Sequence, residues 1–88
     1  MQTFMVERSL KEIPMEQLAA AQQRAIGTAR EMSAQGTPVS YIRSTFVPDT
    51  GQCLCLFTAE GAEQVEQLNR KANIPFDRVV PAMDLTPG

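Results

Sequence analysis

Hydrophobic and polar residues alternate in four stretches of this chain, and two longer stretches repeat with a helical period. Alternation at every second residue is typical of a half-buried strand, whereas apolar residues three or four apart indicate an amphipathic helix. The patterns predict β-α-β-β-α-β over residues 2–10, 15–35, 39–47, 52–58, 62–72 and 78–85. This order predicts a ferredoxin-like α+β fold, with a four-stranded antiparallel sheet and two helices on one face.

Turn-forming residues separate these stretches at the expected places. Pro14 precedes the first helix, and Gly36 is suited to end it in a left-handed conformation. Residues 48–51 read Pro-Asp-Thr-Gly, which predicts the turn of a hairpin. Asn73 is suited to end the second helix, and Pro81 predicts that the last strand lies at an edge of the sheet.

The third strand is apolar on both faces. Its two faces carry Cys53, Cys55 and Phe57 on one side, and Leu54 and Leu56 on the other. A strand of this kind is covered on both sides, yet the predicted helices cover only one. We therefore expect a homodimer, in which a second copy covers the open sheet face with Met5, Glu7, Tyr41 and Arg43 in the interface.

Length and charge narrow the class of protein. The chain has 88 residues, which predicts a single ferredoxin-like domain over residues 1–88. Its net charge is −2 and it has no block of Lys and Arg residues, so nucleic-acid binding is not expected. Neither a long apolar segment nor a signal-peptide pattern is present, so we expect no membrane contact and a cytoplasmic location.

The two cysteines, Cys53 and Cys55, lie two residues apart on one predicted strand. Their Cα atoms would be about 6.5–7 Å apart, which is the outer limit of disulfide geometry, so we expect two buried free thiols. Cys55 would need a base or a lowered pKa to act as a nucleophile, and the pattern suggests no source except Arg43. The chain has no histidine, which excludes an imidazole base and histidine metal ligands.

Polar residues on the predicted open face are the candidates for a site. Alternation places Glu7, Tyr41 and Arg43 on that face, and the usual strand order 4-1-3-2 would put Glu7 and Arg43 about 9–10 Å apart across the third strand. We expect these two residues to interact, directly or through one water. One interpretation is a polar ligand pocket formed by Glu7, Tyr41, Arg43 and Cys55, and the other is a structural ion pair at a dimer interface.

Five segments together resemble a known family. Residues 4–8, 41–46, 55–60, 67–75 and 83–87 are similar, in order and spacing, to a family of small nickel-binding, nickel-responsive proteins long labelled a domain of unknown function. The resemblance implies a ferredoxin-like subunit that dimerises through its sheet. Arg43 and Leu68 stand at the two positions where the family has histidines. Among the polar positions that resemble the family, Glu7 and Cys55 are the ones that remain. The resemblance therefore implies a metal site that is degraded or lost, because a guanidinium is not a metal ligand.

These observations favour a small dimeric binding or sensing protein without a cofactor or a bound metal. Its partners would be a second copy of the chain and a small-molecule ligand. A second hypothesis is a dimeric α+β-barrel enzyme that acts on a small organic substrate, with Glu7 as acid or base and Arg43 as an anion clamp. A third is a structural or regulatory dimer without a ligand.

Overall fold

The elements follow the predicted order in the computed structural model, which describes residues 1–87. Their bounds are β1 Gln2–Ser9, α1 Met15–Ala34, β2 Val39–Val47, β3 Gln52–Ala59, α2 Ala62–Lys71 and β4 Arg78–Pro81. Within residues 1–87 the strands form one antiparallel sheet in the order β2-β3-β1-β4, with both helices packed on one face. The predicted ferredoxin-like α+β fold is confirmed, and its strand order is the expected one.

The last strand is shorter than predicted and ends at Pro81. Pro81 has no backbone N–H to continue the ladder, and the final bond of this edge runs from the Ala82 N–H to the Thr3 carbonyl at 3.0 Å. Residues 83–87 lie outside the sheet. In the described part of the chain no helix is long and apolar enough to cross a membrane.

Residues with positive φ set the turns. Gly36 (φ 96°) and Asn73 (φ 57°) follow α1 and α2 in the left-handed region, as predicted. Gly51 in the β2–β3 hairpin has φ 76°, and a Cβ there would lie 2.4 Å from the Cα of Lys11. The hairpin therefore requires glycine at position 51 both for its backbone conformation and for its close approach to the loop after β1.

The hydrophobic core lies between the helices and one face of the sheet. Alternate residues of β1 and β3 face it, and α1 contributes small residues that allow the helix to lie close to the sheet. The core includes Phe4, Val6, Cys53, Cys55, Phe57 and Ala59 from these strands and Ala21, Ala25, Ala29, Met32, Val65 and Leu68 from the helices.

A β-bulge interrupts β2 between Tyr41 and Arg43. Tyr41 pairs with Phe57 on the helix side of the sheet, whereas Arg43 pairs with Leu56, whose side chain points to the open side. The prediction that Tyr41 shares the open face with Arg43 is therefore wrong, because the extra residue, Ile42, shifts the alternation by one position.

The chain's own C-terminal segment crosses the open face. Arg43, on β2, forms a salt bridge with Asp84, which follows β4 at the opposite edge of the sheet. The row of open-face residues between them contains Leu56 and Met5. Part of the surface that we expected a second copy to cover is thus spanned by residues of the same chain.

Candidate functional site

A cavity of about 150 Å³ lies between α1 and the helix side of the sheet, and we call it the thiol cavity. Ala21 and Ala25 are the core residues of α1 that face it, and their single methyl groups leave this space open. Its apolar wall consists of Leu10, Leu18, Ala21, Ala25, Phe46 and Ile74. Its polar side consists of Arg8, Gln22, Tyr41, Ser44, Cys53 and Cys55.

Both cysteines line this cavity. Cys53 and Cys55 are free and buried, as predicted, and lie side by side on the helix side of β3. Their sulfur atoms are 3.7 Å apart, close enough for the thiol of one to donate a hydrogen bond to the sulfur of the other. The strand therefore presents a contacting pair of sulfurs to the cavity.

Arg8 brings a buried positive charge to the same cavity. It follows Phe4 and Val6 on the helix side of β1 and is only 3% exposed. Its Nη1 donates to the carbonyl of Pro75 at 3.0 Å, and no salt bridge joins it to a carboxylate among residues 1–87. A buried cation needs an anion nearby, and the cavity offers the cysteine sulfurs.

The two thiols have opposite pKa shifts. The pKa of Cys55 is lowered from 9.0 to about 5, first by the hydrogen bond from Cys53 and then by the charge of Arg8 and the hydrogen bond from Ser44, against the opposing effect of burial. The pKa of Cys53 is raised far above its usual value by its hydrogen bond to Cys55 and by burial. These opposite shifts favour a pair that keeps its proton on Cys53 and carries its negative charge on Cys55.

A chain of hydrogen bonds is directed at the Cys55 sulfur. The Ser44 hydroxyl donates to Cys55 Sγ at 3.0 Å, and Tyr41 Oη lies 2.6 Å from Ser44 Oγ. Because Ser44 has a single hydroxyl proton, Tyr41 must donate to Ser44, and Gln22 Nε2 donates in turn to Tyr41 at 3.0 Å. Every donor in this chain points toward the thiolate. Among the described residues that line the cavity, the ionisable groups are the two cysteines, Tyr41 and Arg8.

The β-bulge makes this arrangement possible. Tyr41 and Ser44 are three residues apart and would face opposite sides of a regular strand. The bulge between Tyr41 and Arg43 puts both on the helix side, where the Tyr41 ring also packs edge-on against Phe57 with ring centroids 5.4 Å apart. Bulges often redirect side chains beside functional sites.

The structure separates the four residues that the sequence grouped as a candidate site. Tyr41 and Cys55 both line the thiol cavity, whereas Glu7 and Arg43 lie on the open side of the sheet. Glu7 accepts two hydrogen bonds from Arg78, at 2.8 and 3.2 Å, while Arg43 binds Asp84. The prediction that Glu7 and Arg43 interact, directly or through one water, is wrong in its direct form, because each is paired with a residue in or just after β4.

Sequence reasoning missed Arg8, Ser44 and Gln22 as neighbours of the cysteines. The sequence contained one signal for Arg8. It alternates with Phe4 and Val6 along β1, which places an arginine on the face of the strand that packs in the core. The positions of Ser44 and Gln22 gave no such signal, because they depend on the bulge and on the rotation of α1.

The fold and the cavity together define a small ferredoxin-like α+β protein with a mainly apolar cavity beneath its first helix, into which two cysteines and an arginine face. Residues 4–81 match the family model described as nickel-responsive protein SCO4226-like, and the chain belongs to this family, which confirms the resemblance. The crystal structure of SCO4226 from Streptomyces coelicolor A3(2) is similar, with a TM-score of 0.80 and 20% identity over 96% of this chain and 99% of that chain. At this identity the likeness shows the fold. A comparison with curated proteins gives no match.

Proposed function

We propose that this protein is a small binding or sensing protein that holds a compact ligand in the thiol cavity. The observation that carries the proposal is a cavity of about 150 Å³ with an apolar wall and with Arg8, Ser44 and Cys55 among its polar lining residues, the Ser44 hydroxyl donating to Cys55 Sγ. A few polar groups that converge in an apolar pocket are typical of small-molecule sites. A cavity of about this size holds benzene, so the ligand we expect has one ring or a short chain.

Nickel does not fit the residues of this chain. The sequence has no histidine, and the structure has no group of three or more Cys, Asp and Glu side chains within residues 1–87 that could hold a metal ion. Arg43 and Leu68, at the family's histidine positions, lie on the open face and in the core beneath α2, so they do not converge within one subunit. We predict no submicromolar binding of Ni²⁺ in titration calorimetry, and a tight site that is lost in Glu7→Ala would contradict this.

The enzyme hypothesis loses its support within a single subunit. It required Glu7 and Arg43 to converge on one substrate, but each is engaged by another charged side chain on the open face. The thiol cavity lies on the other side of the sheet, and its thiolate and hydrogen-bond donors suit the binding of a small molecule. These observations favour binding or sensing.

Dimerisation through the open face is part of the proposal. Leu54, Leu56 and Met5 are half-buried apolar residues on that face, and burying them further would stabilise a dimer by about 25 cal/mol for each Å² of apolar surface. A partner's sheet must share this face with the segment that carries Asp84. We expect a dimeric mass in light scattering at micromolar concentration and a monomeric mass for Leu54→Glu. A monomeric mass for the parent protein would contradict dimerisation.

Phenol titration, followed by amide NMR, tests the ligand site. Phenol combines a ring of suitable size with one hydroxyl, and we expect it to shift the resonances of Ser44, Cys53 and Cys55. Ala25→Leu places three more carbon atoms in the cavity and should abolish these shifts. Ala20→Leu, at an exposed position of the same helix, should leave them unchanged. Shifts that persist in Ala25→Leu, or no shifts in the parent at millimolar phenol, would overturn the proposed site.

A further inference from the structure

The thiol cavity contains the components of a two-cysteine reaction as well as space for a ligand. Cys53 and Cys55 touch through their sulfur atoms, and Ser44, Tyr41 and Gln22 form a hydrogen-bond chain that ends on Cys55. Binding a passive ligand does not require two sulfurs in contact, or a buried arginine without a carboxylate partner among residues 1–87. These features together suggest chemistry at sulfur.

We propose that Cys55 attacks small hydroperoxides that enter the thiol cavity, and that Cys53 then closes a disulfide with it. This inference rests on the cavity of the proposed function and names the class of its ligand. Hydroperoxides such as hydrogen peroxide are smaller than the cavity, and their oxygens can accept hydrogen bonds from the N–H groups of the Arg8 guanidinium that do not bind Pro75.

The reaction balances with the hydroperoxide as the oxidant. The Cys55 thiolate attacks the terminal peroxide oxygen, a sulfur–oxygen bond forms, the oxygen–oxygen bond breaks, and the leaving alkoxide or hydroxide takes a proton from solvent. Cys55 is then a sulfenic acid. The sulfur of Cys53 attacks the sulfur of Cys55, the sulfenic hydroxide leaves with the Cys53 proton as water, and two electrons have passed from the thiol pair to the peroxide.

The surroundings assign different roles to the two cysteines. Cys55 is 6% exposed and receives the hydrogen bond from Ser44, an exposed residue of β2, while Cys53 is 2% exposed. The lowered pKa of Cys55 agrees with its role as the attacking sulfur, which must be a thiolate. The negative charge of Cys55 is one cause of the raised pKa of Cys53, and oxidation of Cys55 to the neutral sulfenic acid removes it, so Cys53 ionises more easily when it attacks in turn.

Closing the disulfide strains β3, and this strain makes formation of the disulfide reversible. The sulfurs must move from 3.7 Å to about 2.0 Å apart, while the Cα atoms of alternate strand residues lie at the long limit for a disulfide. Strained disulfides are easily reduced and are often regulatory. Closure also removes the thiolate that accepts the Ser44 hydrogen bond, so oxidation should alter β2 at the bulge.

The pH dependence of oxidation gives a quantitative expectation. With a pKa of about 5, Cys55 has roughly a thousandfold more thiolate at pH 6 than an ordinary thiol, but a less basic thiolate is a weaker nucleophile by roughly 40- to 100-fold. We therefore expect Cys55 in the folded protein to oxidise about tenfold faster at pH 6 than in urea-unfolded protein. This advantage should vanish near pH 7–7.5 and be reversed at pH 8 and above.

The experiment is a time course with hydrogen peroxide at pH 6, 7.5 and 9, read by intact mass and peptide mapping. The parent should lose the mass of two hydrogens without forming a covalent dimer. Cys53→Ala should stop at a sulfenic acid that dimedone traps on Cys55, and Cys55→Ala should not react at the same dose. Ser44→Ala should steepen the pH dependence, while Thr45→Ala, on the same strand but the open side, should not.

Oxidation that rises about tenfold with each pH unit, as for an ordinary thiol, would overturn the inference, and so would oxidation of Cys53 first. If a cysteine variant does not fold, peptide mapping of the parent at early times still shows which sulfur reacts. Phenol binding together with ordinary thiol reactivity would refute only the peroxide chemistry. A nearly pH-independent oxidation without phenol binding would refute only the small-molecule ligand.

Discussion

Ser44→Ala tests whether the hydrogen-bond chain holds Cys55 as a thiolate. The substitution removes the hydroxyl that donates to Cys55 Sγ at 3.0 Å, and it does so at an exposed position where the fold is not at risk. A hydrogen bond to a charged group contributes about 1.5–3 kcal/mol, and one pKa unit corresponds to about 1.4 kcal/mol. Because Ser44 is exposed, the lower end of this range applies, and the pKa of Cys55 should rise by about one unit, from about 5 to about 6.

The assay is ultraviolet thiolate absorbance as a function of pH. Because the pKa of Cys53 is raised, Cys55 is the cysteine that ionises between pH 4 and 8. Ser40→Ala is the matched control, since Ser40 is an exposed serine of β2 that pairs with Thr58 on the open side. An unchanged midpoint in Ser44→Ala, or an equal shift in both variants, would refute the role of this hydrogen bond.

Three further predictions concern stability. The free energy of unfolding should rise from about pH 5 to pH 9, because the folded pKa of Cys55 lies below its ordinary value of 9.0 and this contribution is lost as pH falls toward 5. Above pH 9 the raised pKa of Cys53 acts in the opposite direction and lowers the free energy of unfolding. Urea unfolding at several pH values should show the rise between pH 5 and pH 9 in the parent and not in Cys55→Ser. Gly51→Ala should lower stability by about 2–3 kcal/mol in thermal unfolding, because it combines positive φ with a clash against Lys11, whereas Gly36→Ala, where nothing lies within 4 Å of the new Cβ, should cost less. Arg43→Met should change the free energy of unfolding in a denaturant titration by less than about 1 kcal/mol, because the Arg43 side chain is 51% exposed and its pair with Asp84 is screened by solvent. A loss of several kcal/mol would show that Arg43 is held in a buried interface.

The order of elements and the faces of β1 and β3 could be predicted from sequence because they depend on local periodicity. Phe4, Val6 and Phe57 lie on the helix side, and Leu54 and Leu56 on the other side, as alternation requires. The strand order also agrees with expectation, since it is the usual one for this arrangement of elements.

The site depends on features that the alternation of apolar and polar residues does not reveal. One extra residue at Ile42 moves Tyr41 from the open side of the sheet to the helix side, and no local pattern marks it. The partners of Glu7 and Arg43 come from β4 and the segment after it, at sequence separations of 71 and 41 residues. Such contacts require the register of three strands, which the sequence of any one strand does not specify.

The most direct test of the account is ¹³C NMR of the two cysteine Cβ atoms of the parent protein during a pH titration. The account predicts that Cys55 Cβ titrates with a pKa of about 5 and that Cys53 Cβ has no titration of its own up to pH 9. Titration of both Cβ atoms together near the ordinary thiol value of 9.0 would contradict it, because Cys55 would then be a packed thiol without a stabilised charge.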